Sequence, residues 1–328
     1  MLPGDAGAEM LSKFDDAPDM SSINRDGFSV QVLQNATAAI QIIPALGAKI
    51  SSLVNLQTGR EWMWSPPEPK LFANKTGDSF PDGTKIGADE CFPTIAACEW
   101  RGRSLPDHGE VWTEAWEVAV EEGRVKTSIS CPISPFRLER TASLSGGCLT
   151  LDYAATNLSS EPQECLWAIH PLLTIEPDDV LHLPAESYRV DASIDCGLGD
   201  RGAAGTWPSP REGMHLDRLD FGSNDPAAVK IFTDSLKEGV ITVRNRNTGD
   251  QLIFRFDPSV LNTVGIWINR GGWAGYHHLA VEPTNGAPDR LDIAAQDWRR
   301  CWTLAPKETR RWSVSLEVSS YPVESERN

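Results

Sequence analysis

Apolar and polar residues alternate along much of the chain with a period of two, the mark of strands that bury one face. Trp116, Val118 and Val120 alternate with Glu117, Ala119 and Glu121, and after Glu122-Gly123 the alternation resumes through Val125, Thr127 and Ile129. Such a run, a glycine turn and a second run predict a hairpin. Phe136, Leu138, Arg140, Ala142 and Leu144 lead likewise to Gly146-Gly147 and then to Leu149, Leu151 and Tyr153. A third pair runs from Val240 to Asn245, turns at Asn247-Thr248-Gly249-Asp250 and returns through Leu252, Phe254 and Phe256. Trp312, Val314, Leu316 and Val318 form a last alternating run. The helical period is scarce, and residues 290–299 are the best short-helix candidate. Serial hairpins, with 26 Gly and 23 Pro at the breaks, predict an all-β fold of antiparallel strands, a sandwich or a barrel. Residues 1–25 are Gly/Asp/Ala-rich and aperiodic and are expected to be a loose N-terminal arm. Residues 26–328 show no composition shift and no fixed-period repeat, so a single β domain is expected there.

The chain has 328 residues, of which 40% are hydrophobic and 23% charged, the balance of a globular protein. A chain of this length buries roughly three quarters of its unfolded surface and needs no disulfide or metal to hold it together. Thirty basic against 46 acidic residues give a net charge of −16. That field repels phosphate backbones and anionic lipid, so neither nucleic acid nor membrane is expected as a partner. No apolar run approaches a membrane span, and the N-terminus lacks the basic and apolar regions of a signal peptide, so a cytoplasmic location is expected. The seven cysteines are scattered and contain no CxxC pair, which points to reduced thiols rather than a disulfide framework or a zinc site. No metal and no cofactor is expected. Twelve tryptophans against four tyrosines supply aromatic area for a core and, secondarily, for stacking on the C–H faces of sugar rings.

Several familiar patterns fail on context. Gly197-Leu198-Gly199-Asp200-Arg201-Gly202 matches GxGxxG, but no βαβ pattern surrounds it and Pro208 and Pro210 follow closely, so a surface loop is expected. His277 and His278 are adjacent and on a strand would point to opposite faces. His108-Gly109-Glu110 lacks the downstream Pro-Cys-x-x-Cys of a zinc deaminase. Three segments remain in strongly non-random context. The first is Gly87-Ala88-Asp89-Glu90-Cys91-Phe92-Pro93 with Leu105-Pro106-Asp107-His108-Gly109-Glu110. The second is Leu166-Trp167-Ala168-Ile169-His170-Pro171, where a histidine ends an apolar run. The third is Leu279-Ala280-Val281-Glu282-Pro283-Thr284, preceded by Trp267-Ile268-Asn269. A carboxylate at the end of an apolar run must be hydrogen-bonded or engaged in chemistry, because burying it unpaired costs several kcal/mol. A histidine and a carboxylate converging on one concave face make an acid–base pair with separated pKa values.

Taken in order, these segments resemble the aldose 1-epimerase (galactose mutarotase-like) superfamily. The resemblance starts at Ile43-Pro44-Ala45-Leu46-Gly47-Ala48-Lys49-Ile50-Ser51-Ser52-Leu53 with Thr58-Gly59-Arg60-Glu61-Trp62, and continues through the CFP, LPDHG, His-Pro and late Glu-Pro segments. It covers about residues 30–318. It implies a β-supersandwich of antiparallel strands with an open groove, binding a monosaccharide or related carbohydrate. By the same resemblance, Glu282 would be the general base for the anomeric hydroxyl, His170 the acid that protonates the ring oxygen, and His108 a hydrogen-bonding partner of the sugar. Trp267 is expected to stack on the sugar with Asn269 on the same strand face, and Trp273 to contribute from the Gly271-Gly272 loop. Asp89 and Glu90 replace residues that are commonly apolar in the family and are expected to bind hydroxyls or a basic group. Leu172 and Leu173 follow Pro171 where the family often has an aromatic residue. Trp112 stands where the sugar-phosphate branch has an arginine. That difference and the net charge favour a free aldose. A carbohydrate-binding protein without turnover and a hexose-6-phosphate 1-epimerase-like enzyme are the alternatives.

Overall fold

The computed structural model describes residues 17–218 and 226–323. All three hairpins form. Glu117–Glu121 pairs antiparallel with Arg124–Ser130, Phe136–Ser145 with Cys148–Asn157, and Val240–Asn245 with Asp250–Phe256. Together with Asp179–His182 and Thr309–Ser320 they build an eight-stranded sheet. A second, twelve-stranded sheet has at its centre, in spatial order, Ala88–Cys91, Ala168–Leu173, His277–Thr284, Thr263–Arg270, Ala227–Thr233 and Ser187–Ile194. The chain is therefore all-β and antiparallel, two sheets face to face.

Alternation is clear in the inner strands of the eight-stranded sheet, where only one face is covered, whereas its edge strand Glu117–Glu121 is exposed throughout, Val118 and Val120 included. Leu138, Ala142, Leu144, Leu149, Leu151, Tyr153, Val314 and Leu316 point inward and meet Ile169, Val281, Ile266, Ile231 and Val190 of the large sheet in one core. The central strands of the large sheet are covered on both faces. Every residue of Ala168–Leu173 and of Ala227–Thr233 is buried, so the period of two vanishes there and apolar runs replace it. Their second cover is a smaller apolar cluster of Trp64, Phe80, Trp112, Leu172 and Ala280 on the outer face.

Three local expectations change. Residues 1–16 lie outside the described residues, but Asp19–Arg25 is no loose arm: it pairs along its whole length with Phe28–Gln34. The expected helix is confined to Leu291–Gln296, and Arg299 just beyond it has a φ of 52°, which a helix cannot accommodate. His170 sits inside Ala168–Leu173 rather than at its end. The Gly197–Gly202 segment is irregular chain between the strands Ser187–Ile194 and Ala204–Thr206, as its context predicts. Among the described residues, no helix is long and apolar enough to cross a membrane.

Candidate functional site

Strand register brings His170 and Glu282 together. Ala168 pairs with Thr284 and Leu172 with Ala280, so the same register sets His170 opposite Glu282. Glu282 in turn lies opposite Gly265 on Thr263–Arg270. On the other side of His170, the register sets Asp89 opposite. Side chains of directly opposed residues share a face, and here it is the outer face of the large sheet. His170 Nε2 is 3.4 Å from Glu282 Oε1. The other carboxylate oxygen, Oε2, accepts a hydrogen bond from Lys230 Nζ, and Lys230 Nζ is also 3.5 Å from Asp289 Oδ1. Glu282 is fully buried and its Oε1 has no hydrogen-bond partner.

His108 reaches the same place from a loop. Its φ is 58° and that of Gly109 is 76°, a left-handed pair that turns the chain sharply after Pro106-Asp107. Only glycine serves at 109, because a Cβ there would lie 2.2 Å from the carbonyl oxygen of Phe92. The loop is fastened by the His108 N–H to Ile95 O at 2.8 Å and the Glu110 N–H to Phe92 O at 2.8 Å. The Glu110 carboxylate accepts the N–H groups of Ile133 and Ser134, which ties this loop to the turn that enters the strand Phe136–Ser145. Trp112, in the place of the sugar-phosphate arginine, is buried and donates its indole N–H to Asp107 O at 2.8 Å. The imidazole of His108 stacks on Phe80 with centroids 4.3 Å apart, meets the ring of His170 edge-on at 5.0 Å, and has Nδ1 3.1 Å from Asp107 Oδ1.

These groups border a cavity of about 260 Å³, whose wall includes His108, His170, Lys230, Trp267, Trp273 and His278. Asp107, Asp191 and Asp289 also line it, and among the described residues no arginine does. The volume lies just below the ~300–1,000 Å³ range of drug-sized ligand sites, which suits a single small ring. Aromatic and aliphatic faces with a few convergent polar groups are the make-up of a small-molecule site.

The expected site residues divide. His108, His170, Trp267 and Trp273 border the cavity, and Glu282 lies directly behind His170 and Lys230. Trp267 donates its indole N–H to His278 Nε2 at 3.1 Å, which fixes the His278 ring. Asn269 is not on the cavity wall. It is fully buried, and its amide bonds both the N–H and the carbonyl of Trp273 (3.0 and 2.9 Å), so it holds the loop that presents that indole. Asp89 and Glu90 do not reach the cavity either. Asp89 is buried in an ion pair with Lys49. Glu90, one residue on, points to the opposite face, into the layer between the sheets, where it accepts hydrogen bonds from Arg140 (2.8 Å), Tyr153 (2.9 Å) and Trp167 (3.0 Å). Sequence reasoning missed Lys230, His278 and Asp289. A lysine inside Ala-Ala-Val-Lys-Ile-Phe-Thr was the available signal, because a buried ammonium demands a carboxylate partner.

Position separates the protonation states of the histidines. Burial lowers the pKa of His170 well below the ordinary value, and His108, Lys230 and His278 push it further down. Burial acts on His108 in the same sense, but Asp107, with Asp89 and Asp289, outweighs it and raises its pKa. His278 is pushed down to about 4 by burial and by His277. Burial raises Asp289 despite Lys230 beside it, and Lys230 itself is held protonated by Asp289 and Glu282 against the effect of burial. The site thus sets a His108 whose protonated form is favoured beside a His170 whose neutral form is favoured.

No protein-family model matches the sequence, and no curated protein sequence does. Solved structures do match along nearly the whole chain. The protein Slr1438 of Synechocystis sp. PCC 6803 superposes with a TM-score of 0.67 at 17% identity, covering 93% of this chain and 98% of its own. A provisionally assigned aldose 1-epimerase of Escherichia coli K12 gives 0.66 at 16% identity, covering 92% and 100%. A galactose mutarotase-like protein of Lactobacillus casei ATCC 334 gives 0.62 at 19% identity, again covering 92% and 100%. At these identities the likeness speaks for architecture, and the antiparallel two-sheet molecule described above has the galactose mutarotase-like fold.

Proposed function

We propose that this protein is an aldose 1-epimerase-like isomerase that interconverts the anomers of a free aldose by acid–base ring opening. The observation that supports it best is the free Oε1 of Glu282, 3.4 Å from His170 Nε2, beside a cavity that His108 borders as well. Anomer exchange needs a base at the anomeric hydroxyl and an acid at the ring oxygen, two oxygens on one carbon. Glu282 takes the proton from the hydroxyl, the C1–O bond to it becomes a carbonyl, and the bond from C1 to the ring oxygen breaks as that oxygen receives a proton. Rotation about C1–C2 and the reverse transfers close the ring with the other configuration and return both protons.

The resemblance gives proton donation to His170 and hydrogen bonding to His108; the electrostatics favour the reverse. His108 carries the raised pKa, with Asp107 stabilising its imidazolium, whereas the neutral His170 is fixed beside Glu282 as a hydrogen-bonding group. An uncharged sugar is favoured over a phosphorylated one, because Asp107, Asp191 and Asp289 line the cavity and, among the described residues, no arginine does. The stacking platform for the apolar face of the sugar is Trp267 with Trp273. The test is two-dimensional NMR exchange, or polarimetry, on a panel of aldoses and aldose phosphates. Faster anomer exchange of at least one free aldose is expected. Saturable sugar binding with no rate above the spontaneous one would assign the carbohydrate-binding alternative, and selective turnover of a phosphorylated sugar the hexose-6-phosphate one.

A further inference from the structure

We propose that Lys230 is a positioning residue for the base of this site: its ammonium, reaching across the strand Thr263–Arg270 above Gly265, holds Glu282 Oε2 and thereby turns the free Oε1 toward His170 and the cavity. The inference rests on the epimerase reading for what the base does, but the contact itself is independent of it. Lys230 and Glu282 belong to the two strands that flank Thr263–Arg270, Lys230 opposite Trp267 and Glu282 opposite Gly265. The two side chains therefore meet diagonally across the middle strand, over the position of residue 265. Any side chain there would interfere, since a Cβ at 265 would lie 3.1 Å from Glu282 Oε2 and 3.3 Å from Lys230 Cε. A glycine within a fully packed strand weakens it. Here it leaves the space in which ammonium and carboxylate meet.

The consequence is asymmetry. Lys230 takes Oε2, so Oε1 is the lone basic atom. Lys230 Nζ is also 3.5 Å from Asp289 Oδ1, so the ammonium links Glu282 Oε2 to a second carboxylate that lines the cavity and fixes it there. On the other side of the carboxylate, Oε1 is left 3.4 Å from His170 Nε2.

The experiment measures the position of the Glu282 carboxylate and the rate in parallel. In a crystal structure of Lys230→Met without sugar, the Glu282 carboxylate should rotate so that Oε1 no longer faces His170 Nε2. The kcat of anomer exchange should fall about 10²-fold with KM nearly unchanged, the cost of a misplaced catalytic group, and Lys230→Arg should restore most of both the position and the rate. An unmoved carboxylate in folded Lys230→Met overturns the proposal. Should that variant not fold, Lys230→Gln decides by the same readout: a displaced carboxylate supports the proposal, and an unmoved one overturns it. A wild type inactive on every aldose would sink the epimerase reading and leave the crystal structure to decide on Lys230.

Discussion

At the level of single residues, the roles of Glu282, His108 and Trp267 separate by experiment. Glu282→Gln keeps an oxygen for Lys230 but loses the proton acceptor, and the rate of anomer exchange should fall by about 10²–10⁴-fold. Circular dichroism and melting temperature should change little, and a variant with wild-type rate would remove Glu282 from the mechanism. Asp107, with Asp89 and Asp289, outweighs burial and raises the His108 pKa above the ordinary 6.5, so its proton is lost as pH rises through that raised value. The wild-type rate should accordingly fall as pH rises through that value, and His108→Asn should abolish this alkaline limb together with most of the rate. If the limb persists in His108→Asn, the proton comes from elsewhere. Trp267→Ala removes a cavity wall and the indole N–H that fixes His278. The KM for the sugar should rise about 10-fold, the effect of ~1.4 kcal/mol, within the usual range of a single aromatic contact. Unchanged sugar affinity would make Trp267 packing only.

At the level of elements, one strand serves two compartments. Along Ala88–Cys91 successive side chains point to opposite faces. Asp89 meets Lys49 on the side of the site, and Glu90 meets Arg140 and Tyr153 of the Phe136–Ser145 and Cys148–Asn157 hairpin between the sheets. Glu90 is therefore a polar tie between the two sheets, and what it holds is stability. Glu90→Ala leaves Arg140 buried without its carboxylate and should cost about 3–5 kcal/mol, read as a lower midpoint in urea unfolding. Pairing Glu90→Leu with Arg140→Met should recover much of that loss, since the uncompensated charge is gone. A double variant as unstable as the single one would mean that the tie is not electrostatic. This tie was half legible: adjacent acids in an apolar setting announced a special strand, but only pairing partners distinguish the face that Glu90 occupies from that of the cavity.

At the level of the whole molecule, burying histidines links stability to pH. His278 has a folded pKa of about 4 against an ordinary 6.5. A base whose folded pKa is depressed contributes stability that is present above the unfolded value and lost as pH falls through the folded one, because the unfolded chain binds the proton first. His278→Gln should therefore flatten the fall of stability between pH 6.5 and 4, by up to on the order of 3 kcal/mol at the acid end. Equal slopes in the two proteins would show that the ring is not held neutral. The hairpins and the all-β class were written in the sequence, since a period of two reports directly on strands with one covered face, whereas a sandwich rather than a barrel was implied only by the family resemblance. The segments holding His108, His170 and Glu282 were legible too, because a charged or titratable group at an apolar stretch needs a reason to be there. Lys230 met the same criterion within its all-buried strand, although its partner could not be named, since 52 residues separate it from Glu282 and strand register alone unites them. The tertiary structure decided the rest. It set His170 opposite Glu282, turned Glu90 away from the cavity, gave Asn269 to the support of Trp273, and placed Asp107 where it raises the pKa of His108. Each of these depends on which atoms are close in space and on how much water is excluded, and the order of residues along a chain does not encode either one locally.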